Sequence, residues 1–230
     1  MQAERILNYL SEIARNNNRE WFYANKKEYD AVRKDFEADI INTISRIASF
    51  DASVAHLGIK DVTYRFNRDT RFSPDKSPYK RHLGAYIAAH GKKALHGGYY
   101  IHLQPGECML AGGCYYLPTN ILTACRNEIM ANEEEWLSRV RNPEFIRLFG
   151  EPGDGVAGRG FGLALLKSCP SGFPRDYEHI RYLRMKDYCC WTGVPDDFFE
   201  GDAWLERMAE VFKVAKPMLD FVNAVIDDYE

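Results

Sequence analysis

The chain lacks a long apolar run, a paired cysteine spacing and a strong excess of either charge. Each absence excludes a class. Over 230 residues no stretch approaches the roughly 18 apolar residues of a membrane span, so no membrane is expected as a partner. The first helix-like stretch, Ile6 to Ile13, is interrupted by Asn8, Ser11 and Glu12, which does not fit the apolar centre of a signal peptide. The six cysteines include no Cys-x-x-Cys pair. Cys189 and Cys190 are adjacent, and in a strand they point to opposite faces. All six are expected to be reduced thiols in a cytoplasmic protein. Lys and Arg total 30 against 33 Asp and Glu, a net charge of -3. A dedicated nucleic-acid binder is usually basic, so nucleic acid is disfavoured as a partner. There is no Walker loop, no Gly-x-Ser-x-Gly elbow, no internal repeat and no low-complexity tract, and no cofactor is implied. Apolar residues at 46% and charged residues at 27% are the proportions of a folded globular chain.

What is present is a pattern of helices on either side of a block of strands. Ile6, Leu7, Leu10 and Ile13 form one stripe and predict a helix over 3–15. Tyr29, Val32, Phe36, Ile40, Ile44 and Ile47 predict a second over 25–48. Strands are predicted at 62–66, 83–89, 99–103 and 108–116, the later ones joined by short turns that imply antiparallel pairing. Helices follow over 118–131, 134–140 and 177–184, with a strand over 187–192. The glycine-rich segment 150–162 reads as a loop. A last helix over 203–227 contains Pro217, which should kink it. This is the α+β pattern, with an antiparallel sheet of four or more strands flanked by long amphipathic helices. The expected organisation is one domain over 1–230: helices in 1–50, the sheet in 60–117 and a helical part in 118–230.

Charge is unevenly placed. Between Lys60 and His82 stand seven basic residues (Lys60, Arg65, Arg68, Arg71, Lys76, Lys80 and Arg81) against Asp61, Asp69 and Asp75. Residues 196–230 hold ten acidic residues against Arg207, Lys213 and Lys216. The core of the basic stretch, Arg65 to Lys80, also holds Phe66, Phe72, Pro74 and Pro78. An extended chain would put Arg65, Asp69 and Arg71 on one face, with the carboxylate orienting two guanidinium groups towards an outside anion. Arg65, Arg68, Asp69, Arg71, Asp75, Lys76, Tyr79 and Lys80 are therefore the candidate ligand-binding residues. A catalytic role for Asp69 or Asp75 stays open, as does the alternative that the cluster is a set of buried ion pairs pinning a long loop.

Asn17-Asn18-Arg19-Glu20-Trp21-Phe22, followed by Asn25-Lys26 and Tyr29, resembles the opening motif of the bacterial and fungal domain of unknown function 2461. Arg68-Asp69-Thr70-Arg71-Phe72-Ser73 and Asp75-Lys76-Ser77-Pro78-Tyr79-Lys80 are similar to its central motif. Gly98-Tyr99-Tyr100, Pro105-Gly106, Ala111-Gly112-Gly113, Pro118, Gly172-Phe173-Pro174, Lys216-Pro217-Met218 and Asp220-Phe221 match its later blocks in order and spacing. Arg81 departs from it where Thr is commoner, and Tyr177-Glu178-His179 stands where a His-Pro pair is usual. The resemblance implies an intracellular protein and brings no assigned activity.

The remaining candidates are weaker. His82, His90, His96 and His102 have no metal-ligand spacing, so no metal site is expected. Cys114 lies beside Gly112-Gly113 and lacks a sequence-adjacent base. Gly158 to Gly162 has no preceding strand of a phosphate-binding unit. Trp21, Phe22, Tyr79, Tyr99, Tyr100, Tyr115 and Tyr116 read either as core or as the walls of a pocket beside the cations. Two functions follow. One is a cationic Arg/Asp/Lys pocket for a phosphate- or carboxylate-bearing small molecule, with an enzymatic role open. The other is an interaction module whose basic loop docks on a protein or a nucleic-acid backbone.

Overall fold

Apolar stripes and caps place the helices where the periodicity puts them. The computed structural model describes residues 1–229. Helix α1 spans Ala3–Arg15 and buries Ile6, Leu7, Leu10 and Ile13. Helix α2 spans Arg19–Ala24; the Asn18 side chain caps it by accepting from the Trp21 N–H. Helix α3 spans Lys26–Ala48, and a short α4 covers Ile59–Val62. Strands β1 Leu83–Ile87, β2 Gly98–Leu103 and β3 Met109–Cys114 follow. Then come α5 Thr119–Ala131, α6 Glu133–Val140, α7 Pro143–Phe149, β4 Arg159–Phe161, α8 Ile180–Leu183, β5 Tyr188–Gly193 and α9 Trp204–Asp227.

The fold is α+β, with one antiparallel sheet in the order β1-β2-β3-β5-β4. Only three of its strands lie between residues 62 and 116. The other two come from beyond residue 118, a part expected to be helical. The strand expected at 62–66 is absent: Val62 ends α4, and Thr63 only bridges to Ala85 beyond the sheet edge. Gly158–Gly162, expected as loop, contributes β4 at the opposite edge. Three residues between glycines are too few for an alternating pattern, so their pairing with β5 determines the strand. The helix expected over 177–184 shrinks to α8. Helix α9 runs unbroken through Pro217.

The strands alternate strictly. Ile87, Tyr99, Leu110, Cys190 and Phe161 face one side and are buried, while Tyr86, Tyr100, Ala111, Trp191 and Gly160 face the other and are not. The buried side receives α9, with α3, α5, α6 and α7 packed around that helix. Tyr99 meets Phe212 of α9 at 5.1 Å between ring centroids. Trp136 of α6 is fully buried, with its ring edge-on to Tyr182 and Tyr188. Helix α9 and the helices packed around it thus lie on one face of the sheet, leaving the other face for a site. No helix among the described residues is long and apolar enough to cross a membrane. All six cysteines are free thiols.

Candidate functional site

The uncovered face of the sheet floors a cavity of about 1060 Å³. Its floor follows from register. Tyr86, Tyr100, Ala111, Trp191 and Gly160 are successive cross-strand partners, one from each strand, and form a single row across the sheet. One step along lies the pair Gly84 and His102. Close approach explains two of the glycines. A Cβ on Gly84 would sit 2.5 Å from the Tyr100 hydroxyl, and one on Gly160 would sit 2.4 Å from Trp191 Nε1. Both aromatic rings therefore lie over bare backbone on the strand beyond their own.

The cavity's chemistry is concentrated at the β1 edge. Gln104 donates through Nε2 to Glu107 Oε2 at 2.5 Å, which turns its carbonyl oxygen towards His102 Nε2 at 3.4 Å. His102 then carries its proton on Nε2, and its Nδ1 accepts from the Tyr100 hydroxyl at 2.9 Å. The His82 ring lies 4.5 Å from that of His102. Burial, then His102 and Lys80, push His82 down to about 4. Burial also lowers His102, so both imidazoles are neutral near pH 7. Beside them the Tyr64 ring is flanked by two ammonium groups, Lys80 at 5.2 Å and Lys92 at 5.9 Å from its centroid. Burial, then Arg65, lower the Lys80 pKa. Lys92 donates to the Lys60 carbonyl. Lys80 has no hydrogen-bond acceptor, and neither lysine has a carboxylate partner, among the described residues.

At the far edge Arg159 has a carboxylate counter-ion, although its buried Nε has no hydrogen-bond partner among the described residues. Arg159 donates to the Arg147 carbonyl at 2.8 Å and lies 3.6 Å from Asp154. A second hollow of about 720 Å³ along α1 is lined by Arg5 and Glu28, which pair at 2.9 Å. Arg15 pairs there with Glu12, and Glu4 and Glu200 add acidic charge, so the sheet cavity is the better candidate for an anion.

Of the eight candidate residues, only Lys80 lines this cavity. Arg68, Asp69, Arg71, Asp75 and Lys76 instead form contacts within their own loop. Arg68 donates to Asp75 at 2.7 Å, to the Ser77 carbonyl and to Ser73 Oγ. Asp69 holds Arg71 through both carboxylate oxygens, without the second guanidinium of Arg65. The Arg71 hydrogen bond keeps Asp69 below the usual carboxylate range. Asp75 is held lower still, first by the Ser77 hydroxyl, then by the Ser77 N–H and Arg68. Lys76 donates to the Thr70 carbonyl. Tyr79 is buried, its ring stacked on Phe22 at 4.1 Å. The alternative of a buried ion-pair set is corrected: Asp69 and Arg71 are exposed, Arg68 is half-buried, and Phe72 is 95% exposed. Partners two to nine residues apart satisfy one another within the loop, so the charges need no core contact.

A family model described as "Conserved hypothetical protein (DUF2461)" matches residues 5–221. The chain belongs to the DUF2461 family. No curated protein and no solved structure matches it. In this DUF2461 chain the two motifs meet physically. Asn17 of the opening motif accepts from the Tyr79 N–H and donates to the Tyr79 carbonyl, both at 3.0 Å. That clamp fixes the residue before Lys80 and so delivers the lysine to the cavity.

Sequence reasoning missed Tyr64, Lys92 and Trp191. Tyr100 and Tyr115 do line the cavity, while Tyr99 turns to the core and Trp21, Phe22 and Tyr79 join the N-terminal aromatic cluster. Cys114 is buried against Asn223 of α9, and burial pushes its thiol up. His90, His96 and Asp227 bring three ligand-type atoms within 4.8 Å of one another. The two rings stack at 4.0 Å, however, which sets their lone pairs side by side rather than converging on one point.

Proposed function

We propose that the protein binds an anionic small molecule, phosphate- or carboxylate-bearing, in the sheet cavity, with Lys80 and Lys92 receiving the charge. The observation that carries this reading is the state of Lys80. It is a half-buried ammonium with no acceptor and no counter-ion among the described residues, at the mouth of a large cavity. Such a group is costly to desolvate and is relieved by an incoming anion. Two neutral imidazoles beside it supply proton acceptors, so the reading extends to acid–base chemistry on the bound molecule. The six free thiols fit a reducing, cytoplasmic setting. The loop-docking alternative has less support, because Arg68 and Arg71 are paired with the loop's own carboxylates.

Calorimetric titration with inorganic phosphate and with acetate tests the proposal. Lys80→Met keeps the stem and removes the charge, and should weaken binding at least about tenfold. Arg71→Ala should leave it unchanged. The reverse pattern would return the site to the loop and remove the cavity reading.

A further inference from the structure

We infer that the anion bound here is joined to a flat aromatic ring, which seats over Ala111 between Tyr100 and Trp191. This inference rests on the anion reading above and specifies its ligand class.

The argument is the shape of the floor. In the cross-strand row the residues on β2 and β5 are large aromatics, and the residue between them on β3 is alanine. Tyr100 lies outward over Gly84, and Trp191 lies outward over Gly160. Both rings thus lean away from β3 and leave its surface uncovered. The Gly113 end of the strand is closed, because the Tyr86 hydroxyl donates to the Gly113 carbonyl at 2.8 Å. The result is a short strip around the Ala111 methyl group, flanked by aromatic edges and bounded at one end by Tyr86. Strands β2 and β5 stand two strand spacings apart, about 10 Å, which admits a planar ring and its van der Waals margins. A flat ring on such a strip meets backbone below and aromatic edges at both sides, an arrangement that rings favour over aliphatic chains.

The charged end is fixed independently. The two ammonium groups without a carboxylate partner lie by Tyr64, beyond β1, whereas Arg159 at the β4 edge has Asp154 as its counter-ion. Ring and anion are therefore separated by at least the two strand spacings from β3 to β1, roughly 10 Å. A ribonucleoside monophosphate or an arylalkyl carboxylate has that reach. A nucleic-acid strand fits less well, because Asp154, Val156 and Leu163 wall the β4 side.

Titration calorimetry at fixed ionic strength separates the parts. The probes are adenosine monophosphate (ring and anion), adenosine (ring alone), ribose 5-phosphate (anion alone) and 4-(1-naphthyl)butyrate (ring and carboxylate). At least one probe carrying both groups should bind about tenfold or more tightly than either single-group probe. Which of the two leads identifies the anion as phosphate or carboxylate. Ala111→Leu, which fills the strip, should erase this preference and leave ribose 5-phosphate binding unchanged. Trp191→Leu, checked by thermal melting for a native fold, should reduce the preference from the other side. Equal binding of adenosine monophosphate and ribose 5-phosphate, with no gain for the naphthyl acid, would overturn the aromatic class and leave the anion reading standing. Equal binding of adenosine and its monophosphate would overturn the anion reading. Binding of none of the four would overturn both.

Discussion

Lys80 and Arg71 stand nine positions apart in one charged segment, yet their surroundings give them opposite roles. Arg71 closes on Asp69 and remains in water, whereas Lys80 is carried under the sheet edge by the residue before it. Tyr79 supplies the anchor, with its ring stacked on Phe22 and both of its backbone polar groups held by the Asn17 amide. Asn17→Ala should leave those two groups without their partner and cost about 1–3 kcal/mol, read by chemical denaturation. Because the clamp also positions Lys80, the variant should weaken phosphate binding as well. A stability loss with no change in binding would show that Lys80 is placed by other contacts. The sequence made Tyr79 and Lys80 visible as candidates, but not their separate fates. Burial of one and desolvation of the other depend on Phe22 and Asn17, some sixty residues away, and no local pattern reports that distance.

At the scale of elements, the helices were legible and the edges of the sheet were not. Ile6, Leu10 and Ile13 repeat at helical spacing because one face of α1 is buried along its whole length. The edge segments carry no such repeat. Thr63 makes a single bridge, and β4 is three residues long, so neither offers enough alternation to identify. The long loop between residues 67 and 80 was legible as a loop from Pro74 and Pro78, but the exposure of its ion pairs and of Phe72 was not. It is tied to itself at its base by Arg68 N–H to the Pro78 carbonyl and by Lys80 N–H to the Phe66 carbonyl. Beyond that base its tip has only exposed hydrogen bonds and ion pairs with itself and with Arg81, which contribute little in water. Limited trypsin digestion of the native protein should therefore cut first after Arg71, beside the exposed Phe72, and mass spectrometry of the first fragments identifies the bond. First cleavage elsewhere would mean that the loop tip is covered in solution.

Across the whole molecule, the site is assembled from all five strands, and Ala111 meets Trp191 across 80 residues of sequence only through the β3–β5 pairing. Alternation within β2 already set Tyr100 and His102 on one face, which is the part of the cavity the sequence made readable. Its other walls are set by long-range pairing. One consequence reaches global stability through His82. Burial beside His102 and Lys80 holds its folded pKa at about 4, below the ordinary histidine value of 6.5. Between those two values the unfolded chain binds the proton and the folded protein does not, so stability must fall as pH drops through that window. Above about 6.5 both states are neutral and the effect vanishes. His102 is shifted in the same direction. Asp187 opposes it, since burial raises its pKa and its protonation favours the folded state at low pH. The total slope therefore mixes signs, and a difference between variants isolates the residue. In melting curves from pH 7 to pH 4.5, the wild type should lose more stability than His82→Gln, and the two slopes should coincide above pH 6.5. Equal slopes throughout would mean that His82 is solvated and protonates freely, and the β1 end of the cavity would then be open to water rather than a desolvated pocket.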